Sequence, residues 1–409
     1  MAREMKDSGI MWAGQIPKDW TKRRLRYLCN IQTGNQDTQD RDPDGEYPFY
    51  VRSPIVEKSN KYTFEGPAIL IAGDGAGAGR IFHLVDGRYG CHQRVYSLQN
   101  IRDVNLKFLY YYLSNLFPME IEVANSKSTV DSVRLPMLQD FQVVVPDEYE
   151  QERIVYFLDR KCAEIDNVLG KIHLSIEGYK KLKQAIITRA VTKGIRGDRP
   201  MKDSGVEWLP SIPSDWTVCR GKRLFRETNE RSETGTEELL TVSHITGITP
   251  RSQKNVNMFM SESLVGYKVC HVGDIAANTM WMWQGAIGVS NFEGVISPSY
   301  NTYHQTAGAY ESRYLDYLLR IRPLIDVYAL YSTGITASRL RLYPEQFLSL
   351  RFIVPPLDEQ KEIADYLDSK VREVDNLILK KERYLAGIEA YKKSLIYEYV
   401  TGKKEVSKE

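Results

Sequence analysis

"MKDSGVEWLPSIPSDW" (residues 201–216) repeats, near the middle of the chain, the segment "MKDSGIMWAGQIPKDW" (residues 5–20). Ten of the sixteen positions are identical at a constant offset of 196. Each copy is followed by a basic stretch with apolar residues interleaved, "TKRRLRYL" (21–28) and "TVCRGKRLF" (217–225). Farther on, "LKFLYYYLSN" (106–115) answers "SRYLDYLLRI" (312–321) at an offset of 206. Around the next match, Glu150, Gln151, Ile154, Leu158, Asp159 and Lys161 correspond to Glu359, Gln360, Ile363, Leu367, Asp368 and Lys370 at an offset of 209. Self-similarity of this kind marks a duplicated unit, and the creeping offset marks short loop insertions in the second copy. Two such units account for the 409 residues.

Composition sets bounds without choosing a function. Hydrophobic content of 42% with 26% charge is that of an ordinary globular protein. No apolar run reaches membrane-spanning length, and "MAREMKDSG" lacks the apolar core of a secretory signal, so a cytoplasmic protein without membrane contact is expected. Cys29, Cys91, Cys162, Cys219 and Cys270 are scattered and never form a C-x-x-C pair, which argues against a disulfide framework or a zinc site. The net charge of +2 leaves local distribution to decide whether any face suits a polyanion.

Each unit follows one plan. A Trp-containing segment comes first, then a mixed region, then a long closing helix. Runs such as "PAILIAG", "RIFHLV" and "RVYSLQ" between Gly, Pro, Asn and Asp clusters predict short strands and loops, hence a compact α+β domain. Ile154, Leu158, Cys162, Ile165, Leu169, Ile172 and Ile176 recur every three or four residues, as do Ile363, Leu367, Val371, Val374 and Ile378. Acidic residues follow Pro146 and Pro356, and Lys with Gly stands near 193 and 403, as start and stop signals require. About 45 residues would make a rod of roughly 65 Å, whose narrow apolar stripe needs another helix to cover it; the second copy is the simplest partner. The boundaries read as an N-terminal segment 1–20, a mixed domain 21–146, a long helix 147–194, a linker with the repeated segment 195–216, a second mixed domain 217–356 and a second long helix 357–404.

Catalytic chemistry finds no foothold. In "GDGAGAGR" (73–80), Gly73, Gly75 and Ala78 fit the G-x-G-x-x-A dinucleotide fingerprint, but a strand-like "RIFHLV" follows where that motif needs a helix. A glycine-rich turn between strands is the better reading, and the second copy, "AANTMWMWQGAIG" (276–288), has few of these glycines. The E-x-K of Glu359 and Lys361 sits at a helix start, and the Cys91-His92 and Cys270-His271 pairs do not align between copies. Six histidines in unrelated contexts suggest no triad, so neither catalytic nor metal-ligating residues are assigned.

A duplicated domain on a spacer suits two places on one extended partner, and double-stranded DNA offers both repetition and readable base edges. Lys22, Arg23, Arg24 and Arg26, with Arg220, Lys222, Arg223 and Arg226, form matching basic clusters that as strands would offer half their charges to phosphates. The loops "NSKSTVDSVR" (125–134) and "STGITASRLR" (332–341) carry Ser126, Lys127, Ser128 and Arg134, and Thr333, Thr336, Ser338, Arg339 and Arg341, side chains suited to base edges or phosphates. Arg80 on the glycine-rich turn, with Asn278 and Gln284 in "NTMWMWQG", completes the candidate DNA-binding set; Trp281 and Trp283 there either reach a groove or fill a core.

The combination of "MKDSGVEWLPSIPSDW", the "VPPLDEQKEIADYLD" helix start and duplication from about Met5 to Gly402 closely resembles the specificity (S) subunit of type I restriction-modification systems. The resemblance implies two target recognition domains of mixed α/β character, joined by two long antiparallel helices in a coiled coil with pseudo-twofold symmetry. Each domain would read half of an asymmetric bipartite target, and the helices would set the gap and dock two methyltransferase (M) subunits, with restriction (R) subunits in the full complex. S-adenosylmethionine, ATP and Mg would belong to those partners, leaving this chain non-catalytic and without a cofactor. On this reading the second "MKDSG" marks the former start of a fused copy, and "MARE" before the first remains an unassigned extension.

Overall fold

A computed structural model describes residues 3–124, 132–254, 263–306, 308–334 and 340–406. The chain divides into two compact units, residues 1–173 with 383–409, and residues 174–382. The helices are α1 (Leu25–Leu28), α2 (Leu106–Ala124), α3 (Leu135–Asp140), α4 (Glu148–Lys193), α5 (Gly221–Leu224), α6 (Ser312–Leu319), α7 (Arg322–Tyr331), α8 (Pro344–Ser349) and α9 (Leu357–Val400). The α+β class is as expected. None of these helices is long and apolar enough to cross a membrane among the described residues.

Unit 1 is built on an antiparallel sheet in the order Asn30–Thr33, Val95–Gln99, Ala68–Ala72, Phe82–Val85. All five residues of Ala68–Ala72 are buried, because successive side chains point to opposite faces and both faces are covered. Ile69 and Ile71 enter the main core with Leu109, Leu113 and Phe117 of α2, whereas Ala68 and Leu70 pack with Val85, Tyr89 and Val95 in a smaller cluster. A second sheet runs Glu57–Ser59, Tyr47–Tyr50, Arg88–Cys91, Phe64–Glu65. Unit 2 repeats the main sheet with Phe225–Thr228, Asn301–Gln305, Ile275–Ala277 and Ile287–Val289. Again the central strand splits its side chains: Ile275 and Ala277 enter the large core and Ala276 the small one.

The long helices span 46 and 44 residues, and each unit holds the first part of one and the last part of the other. In unit 1, Leu158 and Cys162 share a core with Leu395, Ile396 and Val400. Phe157 meets Tyr399 with ring centroids 4.4 Å apart, and Asp166 accepts from Lys392 at 2.6 Å, so the segments run antiparallel. In unit 2, Ala190 and Val191 share a core with Ile363, Ala364 and Leu367, and Lys183 donates to Asp375 at 2.6 Å, again antiparallel. The apolar stripe is therefore covered by helix, as its narrowness requires.

The matched residues of the repeat hold the same joints in each unit. Trp216 Nε1 donates to the fully buried Glu359 at 2.9 Å, and the Arg199 guanidinium binds the same carboxylate at 2.9 Å while lying 5.3 Å over the Trp216 ring. In unit 1, Trp20 Nε1 and Arg3 each donate to Glu150 at 2.8 Å, and Arg3 lies 5.5 Å over Trp20. Arg3 and Arg199 stand at the same offset of 196, so the repeat reaches upstream of both methionines as far as Arg3. The neighbouring glutamine anchors the start of a helix of the mixed domain, α2 in unit 1 and α6 in unit 2. Gln151 accepts from Asn105 N at 2.6 Å and donates to Pro146 O, and Gln360 accepts from Glu311 N at 2.8 Å and donates to Pro355 O and Ala309 O. Asp159 and Asp368 accept from Tyr111 and Tyr317 at 2.8 and 2.9 Å.

Removing one partner of a buried ion pair strands the other, at a cost of about 3–5 kcal/mol. Glu359→Ala is expected to lower the stability of unit 2 by that amount in chemical denaturation followed by tryptophan fluorescence. Glu150→Ala should cost less, since its side chain is 14% exposed. Equal and negligible losses would show that the carboxylates are not the anchors.

Candidate nucleic-acid interface

In unit 1 the glycine-rich stretch is a turn between antiparallel strands Ala68–Ala72 and Phe82–Val85, as read from sequence. Gly79 is required twice over. Its φ of +64° lies in the left-handed region, and a Cβ there would meet Ile121 Cγ1 at 2.5 Å. The turn is thereby pinned to α2. Asp74 at its tip binds Arg52 at 2.8 Å and Arg94 at 3.2 Å, both arginines well exposed. Asp74 also bridges Ser132 in a β-bridge, while Val133 N–H donates to Gly73 O at 2.8 Å and Tyr96 Oη to Val133 O at 3.1 Å. The turn, its arginines and the outgoing end of the 125–134 loop thus form one surface. Arg80 belongs to the turn, lining a groove with Arg52 and Asp74, and Arg134 is exposed just before α3. Two guanidiniums around one carboxylate leave donors for phosphate or guanine. Arg52 and Arg94 were missed in the sequence, where they lie 42 positions apart with no spacing that links them; only strand pairing brings them to Asp74.

The corresponding turn of unit 2, residues 278–286, presents a different chemistry. Asn278, expected at the surface, is instead buried at 5% exposure; its amide donates to Tyr300 Oη at 2.8 Å and its Oδ1 accepts from Met280 N at 3.2 Å. Its role is to shape the turn. Met282 fills the core, whereas Trp281 is 47% exposed and stacks on Trp283, whose Nε1 donates to Met280 O at 3.0 Å. Gln284 is half-buried on the same short 3-10 turn. Gly285, with φ of +89°, gives α7 room to approach, since a Cβ would lie 2.6 Å from Ile325 Cδ1. Beyond α7, Thr333 and Arg341 exchange two backbone hydrogen bonds of 2.9 Å that close the neck of the second loop. Ser126, Lys127, Ser128, Thr336, Ser338 and Arg339 lie outside the described residues.

The basic clusters do not form single strands. Thr21–Arg24 pairs with Gln142–Val145, and the chain then turns into α1, where Leu25 and Leu28 bury one helical face. Arg24 and Arg26 both bind Asp140, and Lys22 donates to Ser8 O, so these three tie the unit together. Arg23 is exposed and has no ion pair among the described residues. In unit 2, Arg220 ends strand Thr217–Arg220 opposite Arg351, Lys222 and Arg223 are exposed on α5, and Arg226 stands exposed opposite His304 in strand Phe225–Thr228. Leu224 takes the buried position that forces this helical turn. The strand expectation holds as far as Arg24 and Arg220 and fails beyond them, where buried residues three apart, Leu25 with Leu28 and Gly221 with Leu224, replace alternation.

One face of unit 2 is unsuited to a polyanion. Glu230, Glu233, Glu237, Glu238 and Glu293 line a common groove, where Glu230 and Glu293 clasp His271 at 3.1 and 2.9 Å and raise its pKa. Cys91 and Cys270 are buried thiols whose pKa is pushed up to about 12 by burial, and no residue group among those described could hold a metal ion.

Residues 17–173 match the model of the type I restriction modification DNA specificity domain. The EcoDI specificity subunit of Escherichia coli is 28% identical over 225 residues, which span 51% of this chain and half the length of that relative. The MjaVIII specificity subunit of Methanocaldococcus jannaschii is 24% identical over 95% of this chain and 94% of its own. A solved chain from work on complex assembly and conformational transition of the type I R-M system superposes with a TM-score of 0.67 at 16% identity, covering 95% of this chain and 99% of that one. Residues 17–173 thus carry the match to that DNA specificity domain, and over most of its length the chain is similar to specificity subunits of type I restriction-modification systems and shares the fold of the solved chain.

If the Asp74 surface meets phosphates, Arg52→Ala with Arg94→Ala should weaken duplex binding and flatten the dependence of log K on log salt by roughly 0.9 per lost contact. An unchanged slope in a salt titration would remove this turn from the interface.

Proposed function

We propose that the chain is the non-catalytic DNA-specificity subunit of a type I restriction-modification complex. Residues 21–146 and 217–356 act as target recognition domains, each reading one half of an asymmetric bipartite DNA sequence. The long helices set the spacing of the half-sites and dock methyltransferase subunits, with restriction subunits joining the full complex. Methyl donor, nucleotide and metal chemistry belong to those partners.

The observation that carries this reading is a repeated frame bearing unlike surfaces. Glu150 and Glu359, Gln151 and Gln360, and Asp159 and Asp368 make the same joints in both units. The turns and loop necks on that frame differ: guanidiniums around Asp74 in one, a stacked tryptophan pair in the other. Two readers of unlike half-sites need a common mount and different faces. Within the loops, the exposed Arg134 and half-exposed Arg341 are assigned to DNA, as are Lys222, Arg223 and Arg226.

Replacing residues 217–354 with those of a relative is expected to change one half of the methylated sequence and leave the other half and the spacing intact. Methylation-site mapping of a genome carrying the intact system reads all three. A change in both halves would refute the modular assignment.

A further inference from the structure

Outside the turns and loops, unit 2 contains a basic groove of about 620 Å³ between the last part of α4 and the helices α6 and α7. Lys180, Lys181 and Lys183 line one wall, and Arg320, Arg322 and His244 the other; Asp316 is the one carboxylate in its lining. That carboxylate is turned inward, accepting from Val289 N at 2.9 Å, and burial raises its pKa. Lys183 is held by Asp375 at 2.6 Å and Arg320 lies 3.7 Å from Asp316, while two further cations are loosely held. Lys180 pairs with Glu177 at 3.0 Å and Arg322 with Asp326 at 2.8 Å, all four side chains at least half exposed, a kind of pair worth little. Lys181 is exposed and has no ion pair among the described residues. Arg320 donates to the carbonyls of His244 and Ile245, and its buried Nε–H finds no acceptor among the described residues.

The other long helix carries a different set at this level. At the offset of 209 that joins the two helices, Lys183 corresponds to Lys392, and Lys181 and Gln184 to Ala390 and Lys393. Lys392 is bound to Asp166 at 2.6 Å as Lys183 is to Asp375, so that joint is shared by both units, whereas the unengaged Lys181 belongs to unit 2.

We propose that this groove around Lys181 binds the sugar–phosphate backbone of duplex DNA without reading bases. The proposal rests on the specificity-subunit reading and adds to it a sequence-independent affinity term supplied where a long helix meets the second mixed domain, away from the turns and loops assigned to base reading. Ammonium and guanidinium donors stand on two walls, among the apolar Ile187, Ile245, Ile325 and Val371 and with one carboxylate, which suits phosphates. The acidic groove around His271 shows by contrast what a face that repels phosphates looks like in the same unit.

Lys181→Ala tests this in the full chain assembled with its methyltransferase subunits, with Lys393→Ala, outside the groove, as the control. Both positions are exposed on helices where alanine is well tolerated, and Lys181→Arg serves as the conservative variant. Binding is measured across a salt series to a duplex carrying the mapped target, to an equal-length duplex with both half-sites scrambled, and to polyglutamate. Lys181→Ala is expected to weaken both duplexes equally, about 3- to 10-fold, and to reduce the salt slope by roughly 0.9, with Lys393→Ala unchanged. The preference for target over scrambled duplex should be unchanged, and Lys181→Arg should restore binding. An unaltered slope for Lys181→Ala would overturn the proposal, as would an equal loss in Lys393→Ala or a loss confined to the target duplex or to polyglutamate. A wild-type complex that fails to prefer its target would refute the specificity reading instead, with the slope still deciding the groove.

Discussion

A carboxylate buried at the start of each long helix is the constraint on which the architecture rests. Glu359 has no exposed surface, and an ionised carboxylate in such a place is tolerable only if its oxygens are fully engaged. Arg199 and Trp216 satisfy it, and the Arg199 guanidinium lies over the indole face. The requirement is directional. Only one placement of the Trp-containing segment brings the indole N–H and the guanidinium to a carboxylate in the first turn of α9. Gln360, one residue on, then fixes the entry to α6 through Glu311 N. Two adjacent side chains therefore orient the opening segment and α6 about the root of the rod.

This explains which parts of the sequence repeat most visibly. Positions that must present a given donor or acceptor to a buried partner have no substitute of equal geometry, whereas apolar positions need only volume. Hence Trp, Glu, Gln and Asp recur as identities, and the stripes recur only as a period. The rods were legible for that reason: a three-four alternation sustained over forty residues has no other explanation, and the need for a covering helix follows from its width. The glycine-rich turn was legible too, because the run after it alternates as a strand.

Other features could not be read. Arg3 and Arg199 lie just outside the obvious identity, among residues that do not match, and only their shared carboxylate geometry reveals the correspondence. Arg52, Asp74 and Arg94 meet through sheet pairing across distant segments, so no local pattern announces them. The basic clusters misled in the opposite direction. Their charge suggested a face for phosphates, yet Arg24, Arg26 and Lys22 are engaged by Asp140 and a backbone carbonyl. Charge in sequence shows where cations are, not whether they are free. Asn278 makes the same point for amides: a turn needs its own hydrogen bonds before it can offer any to a ligand.

The contrast between the two turns has a structural cause that bears on how such a protein could vary its face. In both units the central strand is buried on both sides, and the connection to its neighbour emerges where burial ends. Residues before and after that point are fixed by sheet register, and one glycine keeps the turn close to a helix, Gly79 against α2 and Gly285 against α7. Most of what lies between those fixed points projects without contributing to the core, apart from Ala78, Met282 and the buried polar side chains of Asn278 and Thr279. A change there alters exposed chemistry at little cost to folding, in keeping with the tolerance of surface connections. The scaffold thus separates two tasks physically. Buried polar joints determine where the face is held, and a short exposed segment determines what the face presents, so an aromatic pair can occupy the place that a guanidinium–carboxylate cluster takes in the other copy while the frame beneath stays the same.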